Sequence, residues 1–476
     1  MALRKEAPSR KGERTEASLT GAASLPPQPT EASEWISEVR ACGAVLERTQ
    51  WLNPNQLRRY QAPLVANLLR HARATTEFYA ERFDHSFEAP ENFERAWRDI
   101  PILTRKEAAK RREELISQSH PAEAGSVMEG QTSGSTGTPL SFGKSASSAI
   151  VDTALTERFF DWWSMDGAAS LAYIAYEGAD QPASREGQSS VGWHSKDPSG
   201  ARHFMGIHVD TKTMLDWLMA RRPAYLGAYP PVLRELAILA RETGADLSFE
   251  QLVSFSAVLD DETRRLCRSV FGAAVADGYG AQEIGHIAAQ CPDCGEYHVS
   301  AEGCVVEVLR PDGSAAAPGE CGHVVVTPLF NFAMPFIRFE LGDVAEVGCA
   351  EPSCGRGLPT LRRILGRVRN MFRFSDGSVI WPIASAFRLG EYVNHTQYQI
   401  VQTDLQHIEI RYVWEGEPQK IDVAGLTQQV CSALKQRVSV AVCRVSEIPR
   451  TRTGKYEDCV SLTTEGAADA PVRGFE

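Results

Sequence analysis

Apolar positions recur at helical spacing early in the chain. Within 63–73, Leu64, Leu68 and Leu69 fall on one face. The stretch 104–116 opens on Thr104, a good capping residue, and carries charge throughout, which predicts a surface helix. Short apolar runs then predict strands at 171–175, 224–227, 253–258 and 273–279, with helical stretches at 211–221, 231–241 and 261–270 between them. Strands alternating with helices predict a parallel α/β core. From about residue 303 the texture turns β-rich, with strands at 305–309 and 323–327. Beyond Gly366 the order is hairpin, helix, strands at 398–403 and 408–413, helix at 423–438 and strand at 440–445. The expected fold class is therefore α/β: a large N-terminal domain with mostly parallel sheets and a β-rich subdomain, then a small α+β C-terminal domain.

Residues 1–33 are rich in Ser, Ala, Glu, Pro and Lys, and 464–476 are similar; both read as disordered tails. The large domain is then 34–365 and the small one 366–463. Of the 476 residues, 43% are hydrophobic, enough for a sizeable core. A net charge of -11 argues against nucleic acid as the principal partner. No apolar run reaches the length of about 18 residues that a membrane-spanning helix needs. Arg4, Lys5, Arg10 and Lys11 are followed by no apolar stretch, so no secretory signal is expected. Eleven cysteines over so long a chain do not make a disulfide-dense scaffold. The reading is a cytoplasmic protein with thiols free or on metal, as a monomer or a homodimer.

Two segments carry chemistry. From Thr132 to Thr138 every position is Gly, Ser or Thr: Thr132, Ser133, Gly134, Ser135, Thr136, Gly137 and Thr138. Such a loop offers many backbone N–H and hydroxyl donors and little bulk, which suits a polyphosphate. It lacks the Gly-Lys-Ser/Thr ending of a Walker loop, and its composition also suits a flexible linker. The second segment pairs Cys291 and Cys294 with Cys349 and Cys354, each pair followed by Gly. The spacing fits a four-thiolate structural zinc site, with His298 as an alternative ligand; four thiols without metal are the other reading.

The Gly/Ser/Thr loop and four later segments, in order, resemble the adenylate-forming superfamily of acyl- and aryl-CoA ligases, most of all its phenylacetate–CoA ligase branch. These segments are Asp277-Gly278-Tyr279-Gly280-Ala281-Gln282-Glu283, Arg338-Phe339-Glu340-Leu341-Gly342-Asp343, Leu365-Gly366-Arg367 and Pro449-Arg450-Thr451-Arg452-Thr453-Gly454-Lys455. The resemblance runs over about 50–460. It departs at Thr138, where many family loops carry Lys, at Gln282, at Ser256-Ala257-Val258, and at Arg369-Asn370, where a pair of acids is usual.

The resemblance implies an adenylate-forming fold with a mobile C-terminal lid. It implies ATP-dependent activation of an acid, leaning to an aromatic one, as an acyl-adenylate, then transfer to the thiol of coenzyme A with release of AMP and pyrophosphate. Two alternatives are loading of a carrier protein's phosphopantetheine, and acyl transfer between CoA and a carrier without ATP. Residues Thr132 to Gly137 would hold phosphates, Glu283 Mg²⁺, and Tyr279 and Gly280 the adenine. Asp343 would bind the ribose, Arg367 would stand at the hinge beside the nucleotide, and Lys455 would reach the reacting carboxylate. The acid pocket would draw on Tyr173, Tyr176, His203 and Tyr225.

Overall fold

The computed structural model describes residues 29–83, 97–132, 140–177, 184–382, 384–414, 416–449, 458–463 and 472–473. A helix, Pro29–Thr49, begins inside the expected 1–33 tail. Proline in a first turn removes an N–H that has no intrahelical partner anyway. The next helix, Pro54–Thr75, is fixed at its start by a capping box in which Asn53 and Gln56 exchange side-chain and backbone hydrogen bonds. It buries Leu57, Val65, Leu68 and Leu69. The stretch expected as one helix over 104–116 is two short ones, Arg105–Lys110 and Arg112–Leu115. Thr104 caps the first, and Arg111 breaks the run at φ -108, ψ 29.

Twelve strands form the central sheet: β1 (Leu171–Ala175), β2 (Gln188–Val191), β3 (Ala201–Gly206), β4 (Tyr225–Ala228), β5 (Gln251–Ser254), β6 (Val275–Ala281), β7 (Gly285–Gln290), β8 (Tyr297–Val299), β9 (Cys304–Leu309), β10 (Cys321–Pro328), β11 (Phe339–Val347) and β12 (Thr360–Arg367). Their spatial order is β9-β10-β11-β12-β8-β7-β6-β5-β4-β1-β3-β2. From β3 through β1, β4 and β5 to β6 the pairing is parallel. At β6 it turns antiparallel and stays so to β9. The parallel half is covered by helices Thr211–Arg221, Pro230–Thr243 and Asp261–Phe271, which pack Leu218, Leu233 and Cys267 onto Leu226 and Leu252. The antiparallel half packs against Pro54–Thr75, joining Leu68 and Leu69 to Ile337, Phe339 and Val326. β6 is thus the strand at which the sheet changes from one mode of pairing to the other.

After β12 comes a unit with its own core, built from Tyr398, Ile400, Ile408, Ile410, Leu426 and Val430. Its four strands lie in the order Ser439–Arg444, His407–Val413, Gln397–Asp404, Cys459–Ser461, backed by helix Val423–Leu434. That helix ends short of the expected 438 because Lys435 takes the left-handed conformation at φ 51.

The two units meet at a buried guanidinium. Arg234 pairs with Asp458 at 2.9 Å and with Asp260 at 3.6 Å, donates to Tyr398 Oη at 3.3 Å, and stacks on that ring at 4.5 Å. Beside it, Gln397 donates to Glu235 at 3.0 Å. Arg234→Ala strands two carboxylates, at a cost of about 3–5 kcal/mol. The expected outcome is separate melting of the C-terminal unit and faster tryptic cleavage between the units, read by calorimetry and gel.

His395 packs edge-on against Tyr398 at 5.0 Å, and its Nδ1–H donates to Val393 O at 2.8 Å. Burial lowers its pKa to about 4. Below the ordinary histidine value near 6.5 the unfolded chain takes a proton that the folded chain refuses, so stability falls from there down to about pH 4 and then levels. His395→Gln should flatten that part of the Tm-versus-pH curve measured by thermal melts.

Candidate functional site

The Gly/Ser/Thr loop leaves the tip of a β-hairpin, Val127–Gln131 with Ser141–Ser145. Ser133, Gly134, Ser135, Thr136 and Gly137 lie outside the described residues, as does Lys455. The loop's neck is described. Thr132 N–H donates to Leu140 O at 2.9 Å, and Leu140 N–H donates back to Thr132 Oγ1 at 2.9 Å. Thr132 is buried.

Tyr279, Gly280 and Glu283 follow from β6 and its turn into β7. A Cβ on Gly280 would stand 2.7 Å from Gly285 O, so only glycine lets the two strands close there. Glu283 is 2% exposed and forms an ion pair with Arg105. Arg105 also donates to Thr132 Oγ1 at 3.3 Å. Asp343, on β11, stands opposite Arg367 of β12 in the strand register, 3.7 Å from its Nε. Tyr279 Oη donates to Asp343 at 2.9 Å. Burial raises the Asp343 carboxyl above its usual range, against the pull of Arg367, and raises Tyr279 well above a usual phenol. Nearby, Asp277 accepts from Tyr297 at 2.6 Å and from Ser254.

These groups face one cavity of about 1510 Å³, lined by Thr132, Arg105, Tyr279, Glu283, Asp343 and Arg367. Phe159, Phe160, Tyr173, Trp193, Phe204 and Phe255 line it too. Of the four tyrosine and histidine residues expected in an acid pocket, Tyr173 is on the cavity wall, lying where a Cβ on Gly227 would meet its ring at 2.5 Å. The other three are corrected. His203 bonds Ser189 at 2.8 Å and packs on Trp217, while its strand neighbours Arg202 and Phe204 face the cavity; side chains alternate across a strand, and His203 has the opposite parity. Tyr225 Oη accepts from Asp166 N–H at 2.8 Å and donates to Glu250 at 3.3 Å. Tyr176, past the end of β1, packs on His208, and its backbone N–H donates to Tyr229 Oη at 3.4 Å. Sequence reasoning missed Arg105, Phe159 and Phe160, because a helix face carries no mark of which cavity it borders.

The cysteine cluster also needs one correction. The ligand atoms of Cys291, Cys294, His298 and Cys354 lie within 4.8 Å of one another. Cys349 is exposed, and its thiol donates to Glu351 O at 3.3 Å. Its backbone N–H donates to Glu296 at 2.8 Å, and its thiol is not among the clustered ligand atoms. His298, on β8, takes the fourth place: Nε2 lies 3.1 Å from Cys354 Sγ and 3.6 Å from Cys294 Sγ. Its Nδ1–H donates to Leu358 O at 3.4 Å, which leaves Nε2 with its lone pair toward the thiols. Burial lowers His298 to about 4 and raises Cys294 to about 12. Arg356 donates to Cys291 Sγ at 3.3 Å and to Asp293 at 2.9 Å, between the rings of Trp51 and Trp162.

A large unit with its sheet half parallel and half antiparallel, a small α+β unit, and a cavity lined by Glu283 and Asp343 match the fold of the adenylate-forming enzymes. Within that fold the chain is similar to acyl- and aryl-CoA ligases. It superposes on 2-hydroxyisobutyryl-CoA ligase in its postadenylation state with a TM-score of 0.69, 18% identity, and coverage of 88% of this chain and 92% of that one. Against the same enzyme in its thioesterification state the TM-score is 0.56, with 18% identity and the same coverage. Against an anthranilate CoA ligase bound to anthranoyl-AMP it is 0.52, with 17% identity over 71% of this chain and 67% of that one. In sequence, 190 residues are 28% identical to the phenylacetate-coenzyme A ligase of Thermus thermophilus, spanning 38% of this chain and 42% of that ligase. No family model matches. Among the described residues no helix is long and apolar enough to cross a membrane.

Proposed function

We propose that this protein activates a carboxylic acid with ATP and passes the acyl group to a thiol. The observation that carries the reading is the convergence of Thr132, Glu283 and Asp343 on one cavity with a chamber of aromatic side chains. In the first step the acid's carboxylate attacks the α-phosphate of ATP, and pyrophosphate leaves. In the second a thiol attacks the acyl carbon, loses its proton, and AMP leaves. Asp343, raised by burial, gains from the hydroxyl donors of a ribose, and Tyr279 forms the wall beside it. The Glu283 carboxylate suits Mg²⁺, a hard cation that would spread the charge of the phosphates. Lys455 is proposed, from the sequence resemblance, to meet the substrate carboxylate. Phe159, Phe160, Trp193 and Phe204 favour a flat aryl acid.

The thiol is proposed to be that of coenzyme A, because the structural relatives are CoA ligases. Carrier-protein phosphopantetheine is the other acceptor to test. Acid-dependent exchange of labelled pyrophosphate into ATP should be observed with at least one aryl acid, and Lys455→Ala should lower it roughly 100-fold or more. Activity with acyl-CoA and a carrier protein in the absence of ATP, without exchange, would instead mark an acyltransferase.

For the cysteine cluster we propose structural zinc. Three sulfurs and one imidazole nitrogen match its preferred donors with no position left open, and Arg356 offsets the excess negative charge. Purified protein should carry one zinc per chain by mass spectrometry. Cys354→Ser and His298→Ala should lose it and melt lower, by about 2 kcal/mol or more, while Cys349→Ser keeps it.

A further inference from the structure

Arg105 has no role in the reading above, yet it stands at the neck of the Gly/Ser/Thr loop. Its guanidinium joins Glu283 to Thr132, the two residues that border the proposed phosphate end of the cavity. The position is built. Leu103 N–H donates to Arg338 O at 2.9 Å, and Glu340 N–H donates to Leu103 O at 2.9 Å. The segment leading to Arg105 is thereby tied to β11, the strand that carries Asp343. The Phe339 ring backs the guanidinium at 5.7 Å. The Arg105 side chain is 17% exposed, and among the described residues its Nε has no hydrogen-bond partner. A guanidinium has five N–H donors in a planar fork, so Glu283 and Thr132 leave some unused. From Thr132 to Thr138 the loop holds only Gly, Ser and Thr, so it brings no cation of its own.

We infer that Arg105 is a phosphate-binding residue: Glu283 and Thr132 hold it over the loop's neck, and it contacts the terminal phosphates of ATP or the departing pyrophosphate. The inference deepens the ligase reading and rests on it. The cation that the loop lacks is thus supplied from a separate helix.

The test is calorimetric titration of wild type, Arg105→Ala and Arg105→Lys with ATP, AMP and inorganic pyrophosphate, each variant first checked for a native melt. Arg105→Ala should weaken ATP and pyrophosphate by roughly tenfold or more and leave AMP within about twofold, with partial recovery in Arg105→Lys. Unchanged ATP affinity in Arg105→Ala overturns the inference. So does a parallel loss of ATP and AMP, which would mark Arg105 as a counter-ion that only shapes the pocket. A wild-type chain that binds none of the three ligands overturns both this inference and the ligase reading. Arg105-dependent pyrophosphate binding in a chain that forms no adenylate keeps the phosphate role and sinks the ligase reading alone.

Discussion

Carboxylates taken out of water must be answered by donors or cations, and the site is organised around that demand. Glu283 is answered by Arg105, Asp343 by Tyr279 and Arg367, and Asp277 by Tyr297 and Ser254. Each answer comes from a different part of the chain. Glu283 follows β6, but its partner lies 178 residues earlier. Tyr279 and Asp343 are 64 residues apart. The sheet's change of pairing at β6 makes this possible. From β6 the Tyr279 side chain reaches Asp343 of β11, whose antiparallel register with β12 sets Asp343 opposite Arg367.

Much of this was legible in the chain. Parallel strands are apolar along their whole length when both faces are covered, and β1 is buried at every position. Such runs stand out in a sequence, as β4 does; β5 is Gln251–Ser254 rather than the expected 253–258, and β6 is Val275–Ala281 rather than 273–279. The edge strand β2, Gln-Ser-Ser-Val, is mostly exposed and has no apolar pattern to read. β3 was hidden for a related reason, since Arg202 and His203 interrupt it. Motif spacing singles out Tyr279, Glu283 and Asp343, which line the same cavity. It did not assign strand parity, and so His203 was expected on the face that Arg202 and Phe204 occupy. Charge along 104–116 was read as a solvated face, but Arg105 turns inward to Glu283.

The cysteines teach the same lesson about spacing. Two matched Cys pairs in sequence propose a four-thiolate set, but ligand sets are chosen in space. Cys349 lies just past the end of β11 with its N–H held by Glu296, while His298 of β8 joins the group. Cys294 and His298 are four residues apart, a separation that the strand after a Cys-x₂-Cys turn bridges.

β12 has unlike neighbours at its two ends. Thr360 pairs with His298, and Arg367 pairs with Asp343. Strands fray from their ends, and a clamp at one terminus damps slippage along the whole ladder. One strand thus joins the Cys/His group beside its first residue to the guanidinium that lines the cavity at its last, so the two centres share a single ladder.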